Sequence, residues 1–415
     1  MNVLFLHNNF PAQFKSWAAS MAGRPGHQVV FATARVDDRK IPGVRKVLYQ
    51  LGRTASANLH PYVRSSEEAV LYGQSAARTA VALRDRGFRP DAIVSHAGWG
   101  PGLFVKEVFP AAKQIALVEW YYRSSGANIG FLPDEPVEVD LMLGARTGNI
   151  PFLAELTIAD WSLTPTEYQK AQLPTELQRR LSVIHDGVDT SYFLPKSTSR
   201  GLVLEDLEDS SDCLSLSIGP EAEIVTYTTR GMEPYRGFPQ FLRAAKLLLD
   251  ARPNVHVVIA GENRVVYGSK LPEGDSWKQR MLNELDFDRS RLHFVGALTY
   301  RDYRRVLQAS DAHVYLTIPF VLSWSMLEAL ATGCIVIASA TPPVQEVVSH
   351  GENGLLVDFF DHESLARQIT EVLDRPGDFA GIRAAARRSI IDRYDIRQCV
   401  PARINLLKDL VAGNC

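Results

Sequence analysis

The chain has 415 residues, 46% hydrophobic and 22% charged, with a formal net charge of -2. That length favours two or three globular domains, and so small a net charge argues against a global attraction to nucleic acid or to an anionic membrane. Four cysteines, Cys213, Cys334, Cys399 and Cys415, show no CxxC spacing, which argues against zinc and a disulfide framework and suits a reducing cytosol.

The opening MNVLFLHNNF has no basic cluster. Its apolar run is too short for a signal peptide or a membrane span, so the expected setting is cytoplasmic, with any membrane contact peripheral, at the inner face. Strand-like runs follow at Val3–His7, Gln28–Ala32, Ala92–Ser95, Gln114–Glu119, Trp161–Thr164 and Leu181–His185. Helical patterns fall between them at Pro11–Met21, Ser66–Arg86 and Thr166–Gln172. Phe14 and Trp17 lie at helical core spacing; with Phe10 they are also the apolar side chains nearest the first loop, where a membrane would be met. Residues 195–222 are polar, then acidic over Glu205–Asp212, and read as an interdomain region with a solvated turn.

The alternation then resumes. Strands are expected at Ile224–Thr228, Val255–Ala260, Leu292–Val295, Ala312–Leu316 and Ile335–Ala338, and helices at Phe238–Leu249, Tyr300–Gln308 and Ser364–Leu373. From Ile382 onward the pattern is helical, interrupted at Pro401; Arg383, Arg387, Arg388, Arg393 and Arg397 read as its solvated face. Repeating β–α units predict an α/β protein of two doubly wound, Rossmann-like domains facing across a cleft. The expected domains are residues 1–200 and 215–384, with a helix at about 385–415 packing back on the first.

Two segments carry the chemistry. Thr229-Arg230-Gly231-Met232-Glu233-Pro234-Tyr235-Arg236-Gly237 follows an apolar strand. Two guanidiniums there suit a diphosphate, because arginine donates in pairs and stays charged, and the glycines let backbone turn closely around a ligand. Further on, Ser323 and Ser325 precede an Ala/Leu-rich helix whose first N–H groups can receive phosphate, and Glu328 lies one turn in, placed for ribose hydroxyls. Ser325-x-x-Glu328 also fits a capping box, in which that carboxylate turns back to the backbone.

Leu327-Glu328-Ala329-Leu330-Ala331-x-Gly333-x-Ile335-Val336-Ile337-Ala338-Ser339 resembles glycosyltransferase family 4 of the GT-B fold. So do Val347-Val348-x-x-Gly351-x-Asn353-Gly354-Leu355-Leu356-Val357 and Ile184-His185-Asp186-Gly187-Val188-Asp189-Thr190. The resemblance covers most of residues 160–375 and is weaker before residue 100.

It implies a retaining transferase that moves a sugar from a nucleoside-diphosphate donor, a UDP- or GDP-sugar, to a glycan, lipid-linked or small-molecule acceptor, with no metal and no cofactor. Arg230 and Arg236 would hold the diphosphate, Glu328 the ribose, and the backbone of Leu322, Ser323, Trp324 and Ser325 the distal phosphate and sugar. Phe294–Leu298 would flank the base. The chain departs from the pattern where Phe320 stands in place of a sugar-reading Glu and Glu119 in place of a His; Glu119 would bind a hydroxyl or act as a base. Asn8, Asn9, Gln13 and His96 are acceptor candidates, although the asparagines also suit turns and caps, and His7 and His96 suit structural roles. A GT-B epimerase and a non-catalytic nucleotide-sugar-binding protein are the rival readings. A dinucleotide dehydrogenase is disfavoured, since no GxGxxG follows the first strand.

Overall fold

The computed structural model describes residues 1–195, 201–207 and 212–414. Part of the expected interdomain segment, part of the acidic run and Cys415 therefore lie outside the described residues. The chain folds as two compact units, one formed by residues 1–187 with 396–415 and the other by residues 188–395.

The first unit holds seven parallel strands: β1 (Asn2–Leu6), β2 (Gln28–Thr33), β3 (Val44–Leu48), β4 (Ala92–His96), β5 (Lys113–Leu117), β6 (Trp161–Thr164) and β7 (Leu181–Val183). Their order is β3-β2-β1-β4-β5-β6-β7. Its helices are α1 (Lys15–Ala22), α2 (Arg64–Asp85), α3 (Val105–Val108), α4 (Val139–Gly148), α5 (Ile150–Ile158) and α6 (Glu167–Gln172).

β1 is buried on both faces, and successive residues feed different cores. Val3 and Phe5 pack with Trp17, Met21, Ile404 and Leu407, while Leu4 and Leu6 pack with Ala76, Ala80 and Leu83 of α2. Period-two alternation between two apolar layers is what a parallel sheet covered by helices requires. Phe10, Phe14 and Trp17 all belong to the first of these cores, at most 1% exposed, so none is presented to a membrane.

The second unit begins with a two-stranded antiparallel ribbon, β8 (Leu202–Leu204) and β9 (Leu216–Ile218). Six parallel strands follow: β10 (Glu223–Gly231), β11 (Val255–Glu262), β12 (Leu292–Gly296), β13 (Ala312–Tyr315), β14 (Val336–Ser339) and β15 (Leu355–Val357). Their order, β12-β11-β10-β13-β14-β15, repeats that of the first unit about its own first strand. The helices are α7 (Phe238–Ala251), α8 (Trp277–Glu284), α9 (Tyr300–Ala309), α10 (Trp324–Thr332), α11 (Pro342–Gln345), α12 (His362–Asp374) and α13 (Ala380–Tyr394); α14 (Ile396–Ala412) belongs to the first unit.

Several expectations change. The change of unit falls at Gly187/Val188 and again at Asp395/Ile396. Within the stretch read as interdomain, Leu202, Leu204, Leu216 and Ile218 pack against Val258, Val295 and Val306 of the second unit. Of the expected 385–415 helix, residues up to Tyr394 belong to α13 of the second unit. The helical break is at Asp395, which leaves the helical region with ψ 133°, and α14 runs through Pro401. The arginines of α13 and the start of α14 are not one solvated face. Arg383 donates to Gly333 O and Asp311 O, and Arg387 to Phe193 O and Thr190 O, while Arg388, Arg393 and Arg397 are exposed. β3, α4, α5 and β8–β9 went unread; β8 and β9 have three residues each, and β3 is an edge strand with no fully buried residue.

α14 is tied to the first unit by Arg403, 1% exposed, which donates to Asp186 Oδ1 at 2.6 Å and Ile184 O at 2.8 Å. Arg403→Leu removes the cation facing a carboxylate that is itself mostly buried. The expected loss is about 3–5 kcal/mol, read as a lowered urea midpoint.

Candidate functional site

In open α/β sheets, ligands gather beyond the carboxyl ends of the strands. At that end of the second unit, β10 runs out at Arg230 and Gly231, and a 3₁₀ turn at Pro234–Arg236 leads into α7. Gly237 sits at φ 64°, and a Cβ there would lie 2.5 Å from the Leu316 side chain. A Cβ on Gly231 would meet Arg264 O at 2.6 Å. Both glycines therefore make room for the protein's own chain as the loop turns.

Arg230 is exposed and makes no hydrogen bond or ion pair with the described residues. Arg236 is 7% exposed. Its Nη1 donates to Thr317 Oγ1 at 2.7 Å and Val321 O at 3.0 Å, with Tyr315 Oη at 3.5 Å, and its guanidinium lies 5.3 Å from the Tyr267 ring centre. Nη2 and Nε keep their donor capacity. Sequence reasoning missed the group that shapes this turn, Glu233, whose Oε2 accepts from the backbone N–H of Val266 and of Tyr267. Its Oε1 is buried without a partner, and burial pushes its pKa up.

Tyr315 connects Arg236 to α10, because its hydroxyl also accepts from Ser323 N at 2.8 Å. Ser323 is the N-cap of α10 and its Oγ accepts from Ser325 N. The helix thus starts two residues before the capping box would place it. Glu328 does not turn back; its Oε2 accepts from Tyr303 Oη at 2.9 Å. The carboxyl is 8% exposed, and burial pushes its pKa up to about 7.

Trp324 is partly exposed, whereas Leu322 packs in the core, leaving only its backbone for a ligand. Phe320 is buried, its ring 5.9 Å from that of Tyr235 and 5.1 Å from that of Tyr267. It belongs to the aromatic packing beneath Arg236. In Phe294–Leu298, Phe294 and Val295 are fully buried, so only the residues past β12, Ala297 and Leu298, stay partly accessible.

The corresponding end of the first unit gathers the other candidates. Glu119, just past β5, accepts from Gln13 Nε2 at 3.1 Å and lies 3.2 Å from His96 Nε2. His96 Nδ1 lies 3.2 Å from Ala97 O. Both neighbours of this ring are acceptors, so both contacts are hydrogen bonds at once only when the ring carries two protons or Glu119 carries one. His7 stacks edge-on at 4.8 Å from His96. Its Nδ1 accepts from Asn9 N, and its Nε2 is buried without a partner. Burial, and then His96, hold its pKa well below the ordinary value.

Asn8 is engaged rather than free. Its Nδ2 donates to Trp99 O, its Oδ1 accepts from Tyr49 Oη at 2.8 Å, and its carbonyl accepts from Thr33 Oγ1. Asn9 is exposed. Behind β4, Glu155 is fully buried, accepting from Ser95 Oγ at 2.6 Å, and burial pushes its pKa up to about 7.

Sequence models of two families match consecutive parts of the chain: "Glycosyl transferase family 4 group" over residues 25–193 and "Glycosyl transferases group 1" over residues 217–389. Two doubly wound parallel sheets of one strand order define the GT-B class. The chain belongs to the group 1 glycosyltransferases.

It is 29% identical over 220 residues to a D-inositol 3-phosphate glycosyltransferase of Mycolicibacterium smegmatis, covering 52% of this chain and 46% of that protein. The match thus spans about half the length of such relatives. The fold is similar to that of Thermosynechococcus elongatus sucrose-phosphate synthase, with TM-score 0.70 and 16% identity over the whole of both chains. It is also similar to that of Anabaena Alr3699/HepE in complex with UDP-glucose, with TM-score 0.67, 15% identity and coverage of 99% and 100%.

Glu155 and Glu328 share one consequence. A buried carboxyl whose folded pKa is raised keeps its proton in the folded state after the unfolded chain has lost it. Folding stability is then greatest below the unfolded value of about 4.5 and declines as pH rises toward about 7. Glu155→Gln and Glu328→Gln are each expected to flatten this decline, by on the order of 2 kcal/mol between pH 5 and 8, measured by urea unfolding at the two pH values.

Proposed function

We propose that the chain is a retaining glycosyltransferase that uses a nucleoside-diphosphate sugar, a UDP- or GDP-sugar, as donor. The observation that supports this most is the joining of Arg236 to the start of α10 through Tyr315. One guanidinium edge and one helix N-terminus, both suited to anions, are held at the end of one sheet, with exposed Arg230 at the same end. In this reading the two arginines and the α10 N–H groups stabilise the departing diphosphate, without a metal ion or cofactor. Glu328, oriented by Tyr303, accepts from the ribose hydroxyls.

The acceptor, a glycan, a lipid-linked sugar or a small molecule, is assigned to the first unit. There Glu119, steadied by Gln13 and His96, accepts a hydrogen bond from an acceptor hydroxyl and orients it. Retention is assigned to attack on the face from which the diphosphate leaves, with the departing phosphate oxygen taking the acceptor's proton. The setting proposed is cytoplasmic and biosynthetic. No helix among the described residues is long and apolar enough to cross a membrane.

Thermal-shift titration with UDP, GDP, ADP and TDP and their sugars is expected to single out one base. Arg236→Ala and Arg230→Ala should each weaken that ligand by about 1.5–3 kcal/mol, and unchanged affinity in both would remove the diphosphate assignment. Binding without turnover of any acceptor would favour the non-catalytic reading.

Glu328 adds a pH signature. Its ionised form is the better acceptor for ribose hydroxyls, and in the free protein it carries a proton up to about pH 7. Affinity for the nucleotide sugar, whose diphosphate does not titrate near neutrality, is expected to rise with pH toward about 7 and then level off. Glu328→Gln should bind more weakly and without that slope, as read by calorimetry across pH 5.5–8.5.

A further inference from the structure

Tyr49, which holds Asn8, also lines a cavity of about 320 Å³ in the first unit. The other lining residues are Leu48, Gln50 and Gly52 from the end of β3, and Ser75, Arg78 and Thr79 from α2. The three α2 residues are spaced i, i+3, i+4 and so share one face of the helix.

The lining is rich in unused donors. Ser75 is only 8% exposed, yet its hydroxyl has no hydrogen-bond partner among the described residues. Arg78 is exposed and makes no ion pair or hydrogen bond with them, and the same holds for the side chains of Gln50 and Thr79. No carboxylate lines the cavity. The Ser75 hydroxyl stands in one wall of the cavity with a guanidinium whose fork matches a phosphate.

We propose that this cavity is an acceptor subsite for a sugar phosphate. Arg78 pairs with the phosphate; Ser75, Thr79 and Gln50 hydrogen-bond its oxygens and the neighbouring hydroxyls. The volume lies in the range of small-molecule sites. The link to the loop after β1 is direct, since Tyr49 Oη donates to Asn8 Oδ1 at 2.8 Å and Asn8 Nδ2 donates to Trp99 O at 3.0 Å. Filling the cavity therefore bears on the loop assigned to the acceptor. The inference rests on the transferase reading for the word acceptor and on the cavity alone for the sugar phosphate.

The test is isothermal titration of the full chain with glucose 6-phosphate and glucose 1-phosphate, with glucose and inorganic phosphate as controls, and separately with the nucleotide sugar chosen by thermal shift. At least one sugar phosphate is expected to bind about tenfold or more tightly than either control. Arg78→Gln should weaken it about tenfold or more and Ser75→Ala several-fold. Both variants should keep the wild-type melting temperature and nucleotide-sugar affinity, and Arg84→Gln, further along α2, should bind as wild type.

Binding no tighter than that of inorganic phosphate would mean a free-anion site and overturn the proposal, as would binding indifferent to Arg78→Gln. Nucleotide-sugar binding without sugar-phosphate binding overturns the subsite and leaves the transferase reading standing. Arg78-dependent sugar-phosphate binding with no nucleotide-sugar binding supports the site and removes that reading.

Discussion

A guanidinium buried at the end of a parallel sheet must be given acceptors, or the fold does not tolerate it. Arg236 meets that demand through one nitrogen, which bonds Thr317 Oγ1 and Val321 O beside the Tyr315 hydroxyl. The chain from β13 to α10 is thereby drawn around the arginine, and the same tyrosine fixes Ser323, the residue that starts α10. Beneath it, Tyr267, Tyr235 and Phe320 form an apolar floor, held in part by the Glu233 carboxylate, which accepts from the backbone N–H of Val266 and Tyr267. Donor capacity left on the arginine and at the helix start is a by-product of how the loop is held together.

The two units apply one strand order to different ends. In the second, the strand ends are closed by charge: an arginine, a helix start and a buried carboxyl. In the first, they are closed by imidazoles, amides and an indole, from His7, Asn8, Gln13, His96 and Trp99, around Glu119. A diphosphate asks for positive charge and aligned N–H groups; a hydroxyl asks for acceptors and shape. The division of labour proposed for donor and acceptor follows that difference.

Much of the fold was legible in order and type. The apolar runs at Val3, Val29, Val94, Val225, Val257 and Val336 lie within observed strands because both faces of those strands are buried at their centres, so the central residues are mostly apolar. β3 and the β8–β9 ribbon were not legible, since edge and short strands bury too little to mark the sequence. Of the residues proposed to hold the donor, Arg230, Arg236, Ser323 and Glu328 stood out by residue type and position. Tyr303, Tyr315, Tyr267 and Glu233 did not, because what each of them does depends on a partner distant in sequence.

The sequence by itself determined the alternation of strands and helices, the family resemblance carried by residues 184–190, 327–339 and 347–357, and the presence of two arginines and a glutamate suited to a nucleotide. Local periodicity and residue chemistry suffice for these, since they depend on near neighbours along the chain. Only the tertiary structure decided that α10 begins at Ser323, that Glu328 faces Tyr303 rather than the backbone, that Phe320 lies in an aromatic floor, and that the unit changes at Gly187 and Asp395. Each of these depends on a partner distant in sequence, and no spacing rule along the chain reports which distant groups will meet.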